Sequence, residues 1–144
     1  MEPVTLNENL AFLIGDVNHR IYQNITRIFR QNKYNVTLEQ FSVLALLWYQ
    51  DGLKQQEIAE RLNRDKTTIT RVVNNMIRQN LVVKIPDKTD LRATLIYLTN
   101  YGRQVQDKMV SSAGTVYMKM IKGLKKSDIN ITVSVLNTII SNLK

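Results

Sequence analysis

QQEIAERLNRDKTTITRVVN, running from Gln55 to Asn74, is the stretch that decides the fold. Ile58, Ala59 and Leu62 fall on one face of a short helix, roughly Gln55 to Leu62, and the small Ala59 lets a second helix approach closely. Asn63-Arg64 makes a tight turn, because Asn tolerates the left-handed backbone that such a turn often needs. Asp65 can cap the next helix by accepting hydrogen bonds from its exposed amides. That helix carries Ile69, Val72, Val73, Met76 and Ile77 at spacings of three and four, which mark a buried stripe. Two helices joined this way, each turning its apolar stripe inward, form a helix-turn-helix.

On the opposite face of the second helix lie Thr67, Arg71, Asn74 and Arg78, flanked by Lys66, Thr70 and Asn75. The face carries no Asp or Glu, whereas a merely solvated helix face usually mixes both signs. Its side chains are those that bond base edges: Arg to guanine, Asn to adenine, Thr to a polar edge or a thymine methyl. Thr67, Thr70, Arg71, Asn74 and Asn75 are therefore the candidate major-groove readers. Arg64, Lys66, Arg78 and Lys84 are the candidate phosphate contacts. Arg64 holds a turn position that is often apolar, so it either lays its stem along the surface or reaches a phosphate.

The charge balance agrees with a polyanionic partner. Lys+Arg 20 against Asp+Glu 12 give +8 over 144 residues. Residues 1–53 carry −1, residues 54–103 carry +5 and residues 104–144 carry +4. A lysine-rich solubility surface would give a similar total, so charge alone does not choose. Composition excludes more. A hydrophobic content of 44% excludes wholesale disorder, and Cys 0 excludes a disulfide framework, a thiolate zinc site and a cysteine redox switch. A single His excludes an imidazole cage, and no Gly-rich phosphate loop or nucleophile–base pairing appears. The expectation is a non-enzyme with no metal and no cofactor. No apolar run approaches the roughly 20 residues that span a bilayer. Met1 to Thr5 lacks the basic-then-apolar order of a signal peptide, so a cytoplasmic location without membrane contact is expected.

Outward from the helix-turn-helix, residues 7–31 trace a long helix with Leu10, Leu13, Ile14, Val17, Ile21, Ile25 and Ile28 on one stripe. Thr37 and Gln40 form a capping box opening a helix with Phe41, Leu44, Ala45 and Trp48 on one face, stopped by Asp51-Gly52. Leu81 to Ile85 and Thr94 to Leu98 read as a β-hairpin with a charged tip. Thr99 caps a long helix to about residue 123, with Tyr101, Val105, Met109, Val116, Met120 and Leu124 inward. Ser127 is expected to cap the last helix, whose inward positions are Ile129, Val133, Leu136, Ile140 and Leu143. With 5 Gly and 2 Pro there is no linker or repeat, so residues 1–144 read as a single domain.

The hairpin tip, Asp87-Lys88-Thr89-Asp90-Leu91-Arg92, resembles the wing of the MarR (multiple antibiotic resistance regulator) family of winged-helix transcription factors. That tip is usually Asp-x-Arg-Asp-x-Arg; Asp87, Asp90 and Arg92 match it, while Thr89 stands where Arg is common. Leu98-Thr99-x-x-Gly102-Arg103 is similar to the family's start of its long fifth helix, and the order of elements matches over essentially the whole chain. The resemblance implies a mainly α fold with a small β-hairpin wing, a winged helix-turn-helix over 37–98 flanked by dimerisation helices at 7–31 and 99–144. It implies a wing in which Arg92 enters the minor groove, Asp90 orients its guanidinium and Lys88 meets a phosphate.

It further implies a homodimer on a pseudo-palindromic duplex operator, acting as a repressor. Release by a small aromatic anion would occur in a cleft between the dimer helices and the winged domain. His19, Trp48 and Tyr49 are the candidates for that cleft, although a lone His is more often a dimer-surface residue than a ligand contact and Trp48 lies on an apolar stripe. Cys 0 removes the thiol-oxidation mode of sensing that some relatives use. The alternative reading is a winged-helix protein–protein interaction module whose polar helix face docks an acidic protein.

Overall fold

The computed structural model describes residues 4–144, so the start of the Met1 to Thr5 stretch lies outside the described residues. After a 3-10 turn at Leu6–Glu8 come α1 (Leu10–Gln31), α2 (Leu38–Tyr49), α3 (Gln55–Arg61) and α4 (Lys66–Arg78). Strands β1 (Val82–Pro86) and β2 (Thr94–Leu98) follow, then α5 (Asn100–Met120) and α6 (Lys126–Asn142). No helix among the described residues is long and apolar enough to cross a membrane.

Side chains at the helix starts satisfy amides that the helices leave free. Thr37 Oγ1 accepts from the Gln40 amide at 3.1 Å, while Gln40 Oε1 accepts from the Thr37 amide at 3.1 Å, a reciprocal capping box. Asp65 accepts from the Thr68 amide at 2.9 Å and the Thr68 hydroxyl at 2.5 Å. Asn63 takes the left-handed backbone at φ 50°, which turns α3 into α4. Thr99 Oγ1 accepts from the Gly102 amide at 2.9 Å and starts α5.

The core gathers α2, the helix-turn-helix and the base of the hairpin. Val43, Leu44 and Leu47 of α2 meet Ile58 and Ala59 of α3 and Ile69, Val72, Val73 and Met76 of α4, all buried. Leu81, Val82, Ile96, Leu98 and Met109 extend this core under the hairpin to α5. Phe29 of α1 joins it edge-on to Tyr34 and Phe41, with ring centroids 5.8 Å and 5.3 Å apart. The hairpin is antiparallel, Val82 facing Leu98 and Pro86 facing Thr94, and Leu53 adds a bridge to Ile96. Asp51 ties this together: its Oδ1 accepts from the Leu98 amide at 2.9 Å, and its Oδ2 meets Arg103 of α5 at 2.5 Å. The hairpin therefore has a fixed base against both α2 and α5.

Several expectations need correction. The last helix begins after Lys125, not Ser127, because left-handed Gly123 (φ 79°) ends the previous turn and the Ile129 amide already bonds the Lys125 carbonyl at 3.1 Å. Helix α5 ends at Met120, short of residue 123. Strand β1 starts at Val82, because left-handed Asn80 closes α4 and the Leu81 amide bonds Met76 O at 2.9 Å. Trp48, Tyr101, Met120 and Leu124 are exposed, and no residue of α6 is buried. On α1, Leu10, Leu13, Ile14 and Val17 are exposed, while Ile25 and Ile28 pack against the core. Periodicity identified which residues share a face, but the chain alone does not bury the ends of those faces.

Gly102 packs so closely that a Cβ there would overlap the Leu81 carbonyl oxygen, a rigid backbone atom. Gly102→Ala should therefore lower stability by about 1–3 kcal/mol, read as a lower urea midpoint; an unchanged midpoint would refute this contact. The Asp65 carboxyl lies below its ordinary 3.8, first because the Thr68 hydroxyl bonds the ionised form and next because the Thr68 amide does. With a lowered folded value, its contribution is complete above 3.8 and is lost as pH falls through the folded value. Asp65→Asn keeps the cap without titrating. In urea melts taken from about pH 5 to about pH 2 it should lose less stability than the wild type; parallel losses would contradict this assignment.

Candidate nucleic-acid interface

Burial of Ile69, Val72, Val73 and Met76 fixes the rotation of α4 and turns Thr67, Arg71 and Asn74 outward. The exposed side chains of Thr67 and Asn74 have no hydrogen-bond partner among the described residues. Thr70 differs. It is half-buried, donates to the Lys66 carbonyl at 2.9 Å and accepts from Gln55 at 3.1 Å, so it braces α4 against α3. Asn75 is also half-buried, and its Oδ1 accepts from the Arg78 guanidinium. The five candidate readers thus divide into an exposed, outward-facing trio and two half-buried side chains.

Arg71 carries a contact that its own helix does not reveal. Its guanidinium lies 3.3 Å from Glu39 Oε2, in the first turn of α2. Both partners are substantially exposed, at 61% and 47%, so the pair contributes no more than about 1 kcal/mol. A sequence separation of 32 residues hid it from a reading along α4.

The hairpin tip is built from local hydrogen bonds. Asp87 Oδ1 accepts from the Thr89 amide at 3.0 Å and the Thr89 hydroxyl at 2.8 Å. These two bonds, the amide first, hold the Asp87 carboxyl below its ordinary value, and Lys54 adds a smaller pull in the same direction. Asp90 accepts from the backbone amide of Arg92 at 3.1 Å. The expectation that Asp90 grips the guanidinium is corrected: it shapes the turn beneath Arg92, a short side chain reaching the amide two residues on. Arg92 and Lys88 stand exposed at the tip, and Lys84 is exposed on β1. Ion pairs among the described residues are Asp16–Arg20, Glu39–Arg71 and Asp51–Arg103. Arg64, Lys66, Lys84, Lys88 and Arg92 therefore present cations with no described carboxylate partner.

A cleft of about 590 Å³ lies between α1, the start of α2 and the helix-turn-helix. His19 and Tyr22 line one side, Leu38, Glu39 and Ser42 another, and Arg64, Thr68 and Val72 the third. Trp48 and Tyr49 do not line it, which corrects their grouping with His19. At 1.5 Å per residue they sit about 15 Å along α2 from Leu38, at the far end of the helix. The sequence reading missed Tyr22, Glu39 and Thr68 here, because the cleft is assembled from segments distant in the chain.

Residues 36–94, which hold α2, the helix-turn-helix and the hairpin tip, match the MarR family. The organic hydroperoxide resistance transcriptional regulator of Bacillus subtilis is 31% identical over 111 residues, covering 77% of this chain and 74% of that protein. A Staphylococcus aureus MepR–DNA complex superposes with a TM-score of 0.85 at 24% identity, over 94% of this chain and 97% of that one. CouR from Rhodococcus jostii RHA1 bound to p-coumaroyl-CoA gives a TM-score of 0.85 at 22% identity, over 95% of each chain. The two structural likenesses establish the fold. The sequence similarity goes further: this chain belongs to the MarR family of transcriptional regulators, which are not enzymes.

Proposed function

We propose that this regulator binds double-stranded DNA as a homodimer, reading a pseudo-palindromic operator with α4 in the major groove and the hairpin tip in the minor groove. Thr67, Arg71 and Asn74 bond base edges, with Thr70 and Asn75 holding the helix and its neighbours in place. Arg92 enters the minor groove, where negative potential is concentrated, while Asp90 shapes the turn that carries it. Lys88, Lys84, Lys66, Arg64 and Arg78 meet phosphates. The observation that supports this most is the outward face of α4. Thr67 and Asn74 have no described side-chain partner, Arg71 is held by the exposed Glu39 contact alone, and Lys66 and Arg78 lie at the two ends of the same helix.

The dimer rests on a second observation. Leu13, Ile14 and Val17 of α1 are exposed, as are Val133, Leu136 and Ile140 of α6. A second copy covering 7–31 and 99–144 would bury these faces and set two copies of α4 about one duplex turn, roughly 34 Å, apart. The same division makes 37–98 the DNA-reading part of a single domain spanning 1–144. The regulator acts in the cytoplasm, as a repressor, by occupying its operator.

A small aromatic anion in the cleft beside His19, Tyr22 and Arg64 would release it, provided the ligand binds the DNA-incompetent spacing more tightly. A peroxide response through a cysteine thiol has no group to act on in these residues, since Cys is 0.

Titration of Arg71→Ala and Lys88→Ala across a salt series separates the roles. Arg71→Ala should relax preference at one base pair, at about 1–3 kcal/mol. Lys88→Ala should weaken all sequences alike and flatten the salt slope by about one. Sequence-blind losses of equal size for both would refute the assignment. Binding that ignores salt, or that is absent on mixed duplex at low salt, would favour a protein-docking module instead.

A further inference from the structure

We propose that Glu39 is a positioning residue for Arg71, giving the guanidinium an anchor on α2 and thereby setting base preference at the position Arg71 reads. The proposal rests on the DNA-binding reading above. Asp16–Arg20 is a local pair within α1, and Asp51–Arg103 lies at the base of the hairpin. Among the described residues, Glu39–Arg71 is the ion pair that joins an outward residue of α4 to another element.

The anchor is well placed for this. Glu39 lies two residues after the Thr37 cap, and the reciprocal Thr37–Gln40 bonds fix the backbone on either side of it. Residues Val43, Leu44 and Leu47 hold α2 against the core. Arg71 is a long side chain with many rotamers, and binding would otherwise have to order it. The 3.3 Å contact uses one terminal nitrogen. A guanidinium has five N–H donors in a rigid fork, so most remain for guanine O6 and N7.

Glu39 also affects the wrong contacts. A carboxylate next to Arg71 repels an approaching phosphate, so the arginine loses value as a sequence-blind clamp. Both effects raise specificity: base reading is preorganised, and phosphate binding at the same spot is discouraged.

The test is selection from a randomised duplex pool by the full-length protein, followed by titration on the selected duplex and on random competitor. Wild type should prefer guanine at one position per half-site, and Arg71→Ala should lose that preference. Glu39→Ala should reduce the same preference by up to about 5-fold and leave affinity for random duplex equal or higher. Glu39→Gln keeps an acceptor without the charge, so it should retain part of the preference. In an Arg71→Ala background, Glu39→Ala should change base preference no further.

Full guanine preference in Glu39→Ala, with Arg71→Ala still losing it, would overturn the role of Glu39 and leave the DNA-binding reading intact. A loss spread evenly over all positions, or one persisting in the Arg71→Ala background, would also overturn it. A wild type that selects no sequence would sink the DNA-binding reading and this inference together.

Discussion

Four side chains on one face of α4, Ile69, Val72, Val73 and Met76, are buried against α2 and α3, and the rest of the interface depends on that burial. Each is worth about 1.5–3 kcal/mol when taken fully from water. The exposed Glu39–Arg71 pair is worth a fraction of that, so apolar packing sets the rotation of α4 and the ion pair only adjusts one side chain on it. Once the rotation is set, Thr67, Arg71 and Asn74 have nowhere to face but outward. Their chemistry then follows from position as much as from residue type.

The hairpin is held by a different device serving the same end. Leu81, Val82, Ile96 and Leu98 bury its base, Leu53 adds a single bridge to Ile96, and Asp51 bonds both β2 and α5. Its tip, by contrast, is closed by local bonds: the side chains of Asp87 and Asp90 accept from nearby amides, and Ala93 makes backbone bonds with both. A rigid base with a locally built tip suits a probe whose position is set by the fold while its end adapts to a groove. The exposed apolar faces of α1 and α6 are the unfinished part of a single chain, and the proposed second copy completes them.

Much of this was legible in the sequence because the deciding signals are local. Thr37 with Gln40, Asn63, Asp65 and Thr99 act within a few residues of themselves, and each is found doing what its type and spacing predicted. What escaped was made by long-range packing. Glu39 reaches Arg71 across 32 residues, and Asp51 reaches Arg103 across 52. Trp48 fits a helical stripe yet is 43% exposed, since the buried face of α2 is centred on Val43, Leu44 and Leu47. Ser127 is a common capping residue, but left-handed Gly123 had already set where the next helix could begin. Local chemistry names the elements, while partners across the fold decide what each exposed group can still do.

Hydroxyl-radical footprinting, with dimethyl sulfate probing of guanine N7 beside it, tests the central claim most directly on a duplex selected by the protein. The radical reports sugars shielded along the minor groove, the sulfate reports guanines covered in the major groove, and together they give the symmetry. Helix α4 in the major groove and the hairpin tip in the minor groove, in two copies, predict two equivalent protected regions centred about one helical turn apart, with minor-groove protection outside each. A single protected patch, or uniform protection with no groove pattern, would contradict it.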